Sequence, residues 1–258
     1  MKKIKAFVIN LPSAVERRIN IEKQLIKYNI DYEIIEAVNG KNLLDNDSRI
    51  DLDFVKENAY WVSKGALACS LSHVSVYEKI LNDNIDLGLI FEDDSNINAD
   101  IIDIVSNINN NDLNKNEIVL LYYAAWKKIT LLKNTEVKIN NCYSIFDSMD
   151  PRQLVSANAY IITNDACRTM LEYQSPVKST ADSWGKFIDN GAVESIRCIY
   201  PFAVEPADFK SSIDYVAVGS IKGMLLEIID RYRVYPLYNI MKKRREIMRK
   251  RMLNIEFV

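Results

Sequence analysis

At 258 residues with 48% apolar side chains, the chain can bury a large core and is too apolar to be disordered or fibrous. Its formal net charge of -2 hides an asymmetry. Residues 231–258 carry nine Lys/Arg against two acids, so a basic tail follows a strongly acidic body.

The first apolar run, Ala6 to Ile9, is too short for the apolar block of a secretion signal, and no segment approaches the length of a bilayer span. Cys69, Cys142, Cys167 and Cys198 are scattered without a CxxC pair. They read as reduced thiols in a cytosol rather than as a disulfide framework or a zinc site.

In chain order, residues 3–10 read as a buried strand, and Ser13 to Glu16 has the spacing of a capping box opening a helix that runs to about Tyr28. A second strand over residues 31–38 ends at Asn39-Gly40, where glycine would permit the positive backbone angles of a turn. Residues 41–53 form a polar stretch expected to be a loop with little order of its own. A helix over residues 65–82 would bury Leu67, Leu71, Val74 and Ile80, and Leu87 to Phe91 reads as a continuous apolar strand behind it. Further strands are expected at 118–123, 155–163 and 196–204, with helices near 99–109, 164–173 and 183–190. Strands separated by helices predict a mainly parallel α/β sheet, with ligands beyond the carboxyl ends of the strands.

Glu92-Asp93-Asp94 follow the apolar strand directly. Alternation along a strand would place Glu92 and Asp94 on one face and turn Asp93 elsewhere. Two clustered carboxylates repel, and a hard divalent cation is the usual way to hold them together. Such an ion could neutralise a diphosphate leaving group. A solvated turn is the plain alternative. No GxGxxG and no GxxxxGK[ST] occurs, so a phosphate would have to be met by a metal and by scattered donors. The single histidine excludes any site needing two.

Four blocks together resemble glycosyltransferase family 25, the lipooligosaccharide galactosyltransferases and their collagen-modifying relatives. They are Val8-Ile-Asn-Leu11 with Glu16-Arg-Arg18, Ala37-Val-Asn-Gly40, Gly65-Ala-Leu-Ala-Cys-Ser-Leu-Ser-His73 and Leu89-Ile-Phe-Glu-Asp-Asp94. A weaker fifth block is Ser156-Ala-Asn-Ala-Tyr-Ile-Ile-Thr163, in which Asn158 replaces the family's glycine. The resemblance implies a GT-A type nucleotide-sugar-binding fold over residues 1–229, a UDP-hexose donor, Mn2+ or Mg2+, and inversion at the anomeric carbon. Glu92 and Asp94 would take the place of the family's Asp-x-Asp type metal motif, with Asp93 beside the donor. Asn10, Leu11 and Arg17 would lie near the uridine or its phosphates, and Ala37, Val38, Asn39 and Gly40 would wall the base pocket. Lys64, Gly65 and His73 would approach the donor from a helix whose N-terminus favours an anion. Without the blocks, Arg17 would read as a solvated helix face and His73 as a satisfied core histidine.

Inversion needs a carboxylate base. Asp182 is the first candidate because the family carries an aspartate in this region, and Asp150 is the second; Trp184 would offer a face for a sugar. The competing role for Asp182 is the N-cap of the helix starting at Ser183. The implied reaction moves a hexose, galactose in the first instance, onto a lipid-linked or lipopolysaccharide-type glycan of a bacterial surface. The alternatives are a metal-dependent phosphoester hydrolase and a noncatalytic glycan-binding protein that kept the fold.

Over residues 230–258, Pro236 is placed to open a helix in which Leu237, Ile240, Met241, Ile247, Met248 and Met252 recur at nearly helical spacing. Lys242, Lys243, Arg245, Arg249 and Lys250 fill much of the rest, with Tyr232, Tyr235 and Tyr238 at its start. Such a basic amphipathic appendage suits the anionic inner leaflet, making the protein a cytoplasmic, peripheral inner-membrane one. Packing on its own domain or on a second subunit as a homodimer is the alternative. No nucleic-acid partner is expected.

Overall fold

The computed structural model describes residues 3–108, 113–207, 209, 229 and 232–258. The chain opens with β1 (Ile4–Asn10), α1 (Val15–Lys27), β2 (Tyr32–Glu36), α2 (Leu52–Glu57) and α3 (Lys64–Asn82). Next come β3 (Leu87–Glu92), β4 (Ser95–Ile97), α4 (Ile101–Ile108) and β5 (Glu117–Leu120). An excursion of short strands follows: β6 (Ala124–Ala125), β7 (Ile129–Leu131), β8 (Val137–Lys138), β9 (Ser144–Asp147) and β10 (Leu154–Val155). The chain then forms β11 (Ala159–Thr163), α5 (Asn164–Tyr173), α6 (Trp184–Asp189), β12 (Ser195–Tyr200) and β13 (Val204–Pro206). It closes with α7 (Leu237–Met252) and β14 (Ile255–Phe257).

Eight strands form one sheet in the order β2-β1-β3-β11-β5-β12-β9-β8. The sheet is mixed rather than mainly parallel: β1 pairs in parallel with β2 and β3, and β5 with β12, but β11 is antiparallel to both β3 and β5. The reason lies in the excursion after β5. It leaves from that strand's carboxyl end and returns to the same edge, so β11 has to enter the sheet running the other way. The carboxyl ends of β1, β2, β3, β5 and β12 therefore share one edge with the beginning of β11, and Asn10, Glu92 and Asn158 meet there.

Helices cover both faces. Tyr77 and Ile80 of α3, Met170 of α5 and Phe187 of α6 pack on one side, and Ile21 and Leu25 of α1 with Ile101 and Ile104 of α4 on the other. This three-layer arrangement buries the central strands on both faces, which is why they read as continuous apolar runs.

Local expectations differ from the structure in three places. The capping box does not form: α1 starts at Val15 behind Ala14, with no side-chain cap. Residues 41–53 are anchored, because Leu43, Ile50 and Phe54 join Leu67, Leu71 and Val74 of α3 in a small cluster of their own. Gly40 has no positive φ; among the described glycines only Gly191 does.

The tail is tied to the body. α7 begins right after Pro236 as expected, but β14 then pairs in parallel with β7, and Phe257 packs edge-on against Phe146 and Tyr200 with ring centroids 5.1 and 5.0 Å apart. Glu256 also pairs with Lys128. A boundary at residue 229 would thus cut one packed unit rather than detach an appendage.

Candidate active site

A cavity of about 1100 Å³ opens at the shared carboxyl edge. Its wall includes Leu11 and Arg17 after β1, Ala37 to Gly40 after β2, Ser63 to Gly65 at the start of α3, and Glu92 and Asp93 at the end of β3. Segments far apart in sequence converge because β1, β2 and β3 all end at this one edge and the α3 N-terminus packs against Gly40.

β3 stops at Glu92, and Asp93-Asp94 form a turn, so strand alternation does not set the direction of the last two carboxylates. Each is aimed by its own partners. Asp93 accepts hydrogen bonds from Asn10 Nδ2 at 2.7 Å and from Arg17 at 2.8 Å. Asp94 accepts from Asn158 Nδ2 at 2.8 Å and pairs with Arg17 at 3.2 Å. Asn158, where the resembled family has glycine, thereby orients Asp94, and Ser95 Oγ donates to its side-chain oxygen at 3.1 Å. Burial first and the Glu92 charge second push the Asp94 carboxyl up to about 6, against the opposing pull of Arg17. Burial without full charge compensation is the situation a divalent cation relieves.

Leu11, Arg17, Ala37, Val38, Asn39, Gly40, Lys64, Gly65, Glu92 and Asp93 all lie on the cavity wall. Asn10, His73, Asp94, Asp150 and Asp182 are not among the lining residues. Asn10 is buried behind Asp93 and His73 against Tyr160, with Nδ1 2.7 Å from the tyrosine hydroxyl. Asn10 is turned away from the cavity, and His73 lies beneath its wall, with Nε2 3.7 Å from Glu92 Oε1. Asn10 instead orients Asp93, because a buried amide at the end of a strand needs acceptors for its N–H groups, and it donates to Asp93 and to the Ala14 carbonyl.

Asp182 does not cap α6, which has Ser183 at its N-cap and no side-chain cap. Its carboxylate instead accepts from the Ser156 backbone N–H and from Thr180 Oγ1, both at 3.1 Å. Ser156 holds a left-handed backbone, φ 84°, rare for a residue other than glycine. That conformation is clamped by Asp182 on one side and by Trp184, whose Nε1 donates to the Ser156 carbonyl at 3.2 Å, on the other. Trp184 is fully buried, so it supports this turn and offers no face to a sugar. The Asp182 charge reaches Cys69 together with those of Glu92 and Asp94. Asp150, by contrast, caps a short 3-10 turn through Arg152 N, lines a separate small depression, and has its carboxyl lowered mainly by the Gln153 hydrogen bond. Asp150 thus lies apart from the cavity, and Asp182 is not among its lining residues.

Tyr60 and Trp61 also line the cavity, and both are exposed. Nothing in the motif blocks points to them. The available signal is two adjacent aromatics in a polar stretch; Trp61 sits edge-on to Phe54 with ring centroids 6.5 Å apart, and Tyr60 is largely exposed. Such rings are suited to stack on a planar ligand.

Gly40 matters for close approach. A Cβ there would sit 2.9 Å from Gly65 N, Gly65 Cα and Lys64 O, all backbone atoms. Gly40→Ala is expected to cost about 1–3 kcal/mol through overpacking that displaces the α3 N-terminus. Gly191→Ala, which strains a positive φ with open space around it, should lower the thermal midpoint by the backbone strain alone. Thermal denaturation of both variants checks the pair.

Residues 3–184 match the sequence profile of glycosyltransferase family 25, described as LPS biosynthesis protein. A procollagen galactosyltransferase 1-A of Xenopus laevis is 30% identical over 96 residues, which is 34% of this chain and 15% of that protein. A protein described as a glycosyltransferase, R655 of Acanthamoeba polyphaga mimivirus, is 33% identical over 111 residues, 42% of this chain and 34% of its own length. The matched part spans well under half of these relatives. Among solved structures, a glycosyltransferase involved in glycosylation of the major capsid of PBCV-1 aligns over 76% of this chain and 80% of its own, with 9% identity and a TM-score of 0.38.

Proposed function

The chain belongs to glycosyltransferase family 25, and from that premise we propose that it moves a hexose, galactose in the first instance, from UDP-hexose to a lipopolysaccharide-type glycan with inversion. The observation that carries this reading is the convergence of the base-pocket blocks, the α3 N-terminus and the Glu92 and Asp93 carboxylates on one cavity, with Asp94 held beside them by Arg17 and Asn158. A phosphoester hydrolase would leave the match over residues 3–184 unexplained.

Each part of the cavity contributes to such a transfer. Ala37 to Gly40 and the aromatic pair Tyr60-Trp61 receive the uridine, and the α3 N-terminus with Lys64 faces the diphosphate. Lys64 is held on the wall by the Leu43 carbonyl at 2.8 Å and by Asp45 at 2.6 Å. Glu92 and Asp94 form an all-oxygen donor pair of the type that suits Mn2+ or Mg2+, and the raised Asp94 carboxyl fits a site awaiting positive charge. A cation bound there would offset the negative charge that develops on the departing diphosphate. Asp182 accepts the proton of the acceptor hydroxyl as that oxygen bonds to the anomeric carbon and the bond to UDP breaks.

Screening UDP-sugars with Mn2+ and truncated lipooligosaccharides tests this function. Release of UDP that requires both one hexose donor and the acceptor is expected. Release that proceeds equally well without acceptor would point to hydrolysis.

The finer location is also proposed: an anionic membrane surface reached through α7. No helix among the described residues is long and apolar enough to cross a membrane. Leu237, Ile240, Ile247 and Met248 are nevertheless exposed, as are Tyr232 and Tyr235 just before the helix. Arg244 and Arg251 fall within the same arc on helical spacing, where long side chains can extend to the headgroups. Because β14 belongs to the body, charge removal is a cleaner test than truncation. Changing Lys242, Lys243 and Lys250 together to Gln should weaken co-sedimentation with anionic vesicles about a hundredfold, at roughly 1 kcal/mol per basic residue, and leave turnover on a soluble acceptor intact. Equal sedimentation of both proteins at low salt would assign α7 to a protein contact.

A further inference from the structure

His73 is 1% exposed, and its two ring nitrogens have different surroundings. Nδ1 lies 2.7 Å from the Tyr160 hydroxyl, which in turn lies 2.9 Å from that of Tyr77. Nε2 is buried with no hydrogen-bond partner among the described residues. A buried polar atom left in this way is costly, and such exceptions call for a ligand or a functional role. Nε2 points at Glu92, 3.7 Å from Oε1, and Cys69 Sγ lies 3.8 Å from the same oxygen. The three donor atoms are all within 4.8 Å of one another.

We propose that Cys69, His73 and Glu92 form a binding site for a thiophilic divalent cation of the zinc class at the floor of the cavity. Zinc bonds of about 2.0–2.3 Å at tetrahedral angles require donor atoms about 3.3–3.6 Å apart. The two spacings to Glu92 Oε1, 3.7 and 3.8 Å, need to close by a few tenths of an ångström, and the Cys69–His73 pair, within 4.8 Å, by up to about 1.2 Å. Cys69 and His73 are four residues apart on α3 and share a helix face, while Glu92 comes from the adjoining strand end. Tyr160 supplies the outer-shell partner that a metal-bound imidazole ordinarily has: with Nδ1 donating to the tyrosine oxygen, Nε2 is left with a free lone pair. Cys69 and Glu92 line the cavity, so a fourth position opens toward it, as in sites that keep a place for water or a substrate group. On binding, the Cys69 S–H proton leaves to solvent and the sulfur–metal bond takes its place.

The sulfur, nitrogen and oxygen donor set separates this site from the all-oxygen pair of Glu92 and Asp94. Both sites use Glu92, so a zinc-class ion would compete with Mn2+ and hold transfer back. That consequence rests on the metal reading of the proposed function; the site itself does not.

Cobalt(II), added to the full chain without any nucleotide sugar, tests the site directly. A thiolate-to-cobalt charge-transfer absorption that saturates at one equivalent and is displaced by Zn2+ is expected. Cys69→Ser should abolish it, and Cys142→Ser, which alters an exposed thiol, should leave it unchanged. If circular dichroism shows Cys69→Ser to be unfolded, Glu92→Gln takes its place and should weaken cobalt binding by at least about tenfold, since even outer-shell losses cost about 10–100-fold. No charge-transfer band in the wild type, a band that survives Cys69→Ser, or unchanged affinity in Glu92→Gln overturns the proposal. Because this readout needs neither donor nor acceptor, its failure leaves the transferase reading untouched.

Discussion

Asp94→Ala is expected to reduce hexose transfer by at least about a thousandfold, the upper end of the loss when one preorganised charge-stabilising group is removed. Asp94→Asn should be nearly as damaging, because the amide keeps the shape and loses the charge. The two effects of that second variant run in opposite directions. Burial and then Glu92 raise the Asp94 carboxyl to about 6 in the folded protein, above its ordinary value of 3.8. A raised folded value means that protonation favours the fold. The contribution is fully present below the unfolded value near 4 and is lost as pH rises through about 6. At pH 7.5 the metal-free wild type therefore holds this charge at a cost, and Asp94→Asn is expected to melt at a higher temperature. The gap should narrow as pH falls from about 6 toward 4. Mn2+ should raise the melting temperature of the wild type and not that of the variant. A variant that is less stable without metal and turns over like the wild type would remove Asp94 from the site.

Asp182→Asn is expected to cut turnover by at least about a hundredfold while sparing UDP-hexose affinity, the size usual for a general-base contribution. The asparagine is a fair control because it can keep both local contacts. Its carbonyl can accept the Ser156 N–H, and its amide can donate to Thr180 Oγ1, a hydroxyl able to reverse its role. Asp182→Ala loses both contacts and releases the strained Ser156 turn, so it should fall in stability as well. Measuring kcat, donor affinity and thermal midpoint for both variants separates the roles. An Asp182→Asn protein with normal turnover would restrict Asp182 to holding the turn.

The site was legible in the sequence where a motif ends a strand. Val8 to Leu11, Ala37 to Gly40 and Leu89 to Asp94 each finish a strand at the same edge, so reading the strands also placed the wall. Side-chain direction beyond the strand was not legible. Asp93 and Asp94 are aimed by Asn10, Arg17 and Asn158 across the sheet, and no local period encodes such contacts. The antiparallel course of β11 was hidden for a related reason: a buried strand between two others reads alike in either direction, and β6 to β10 are too short to show a period. Trp184 reads as a sugar platform beside Asp182, whereas its burial under Ser156 depends on the fold of the preceding turn. Likewise, β14 adds only three residues, and its pairing with β7 across more than a hundred residues of chain is a tertiary fact.

Titration of UDP into the protein, followed through the fluorescence of Trp61 on the cavity wall, tests the central claim most directly. The account predicts one-to-one binding that Mn2+ strengthens in the wild type and not in Asp94→Asn, with the signal lost in Trp61→Phe. UDP binding that is absent, or that is indifferent both to Mn2+ and to Asp94, would contradict it.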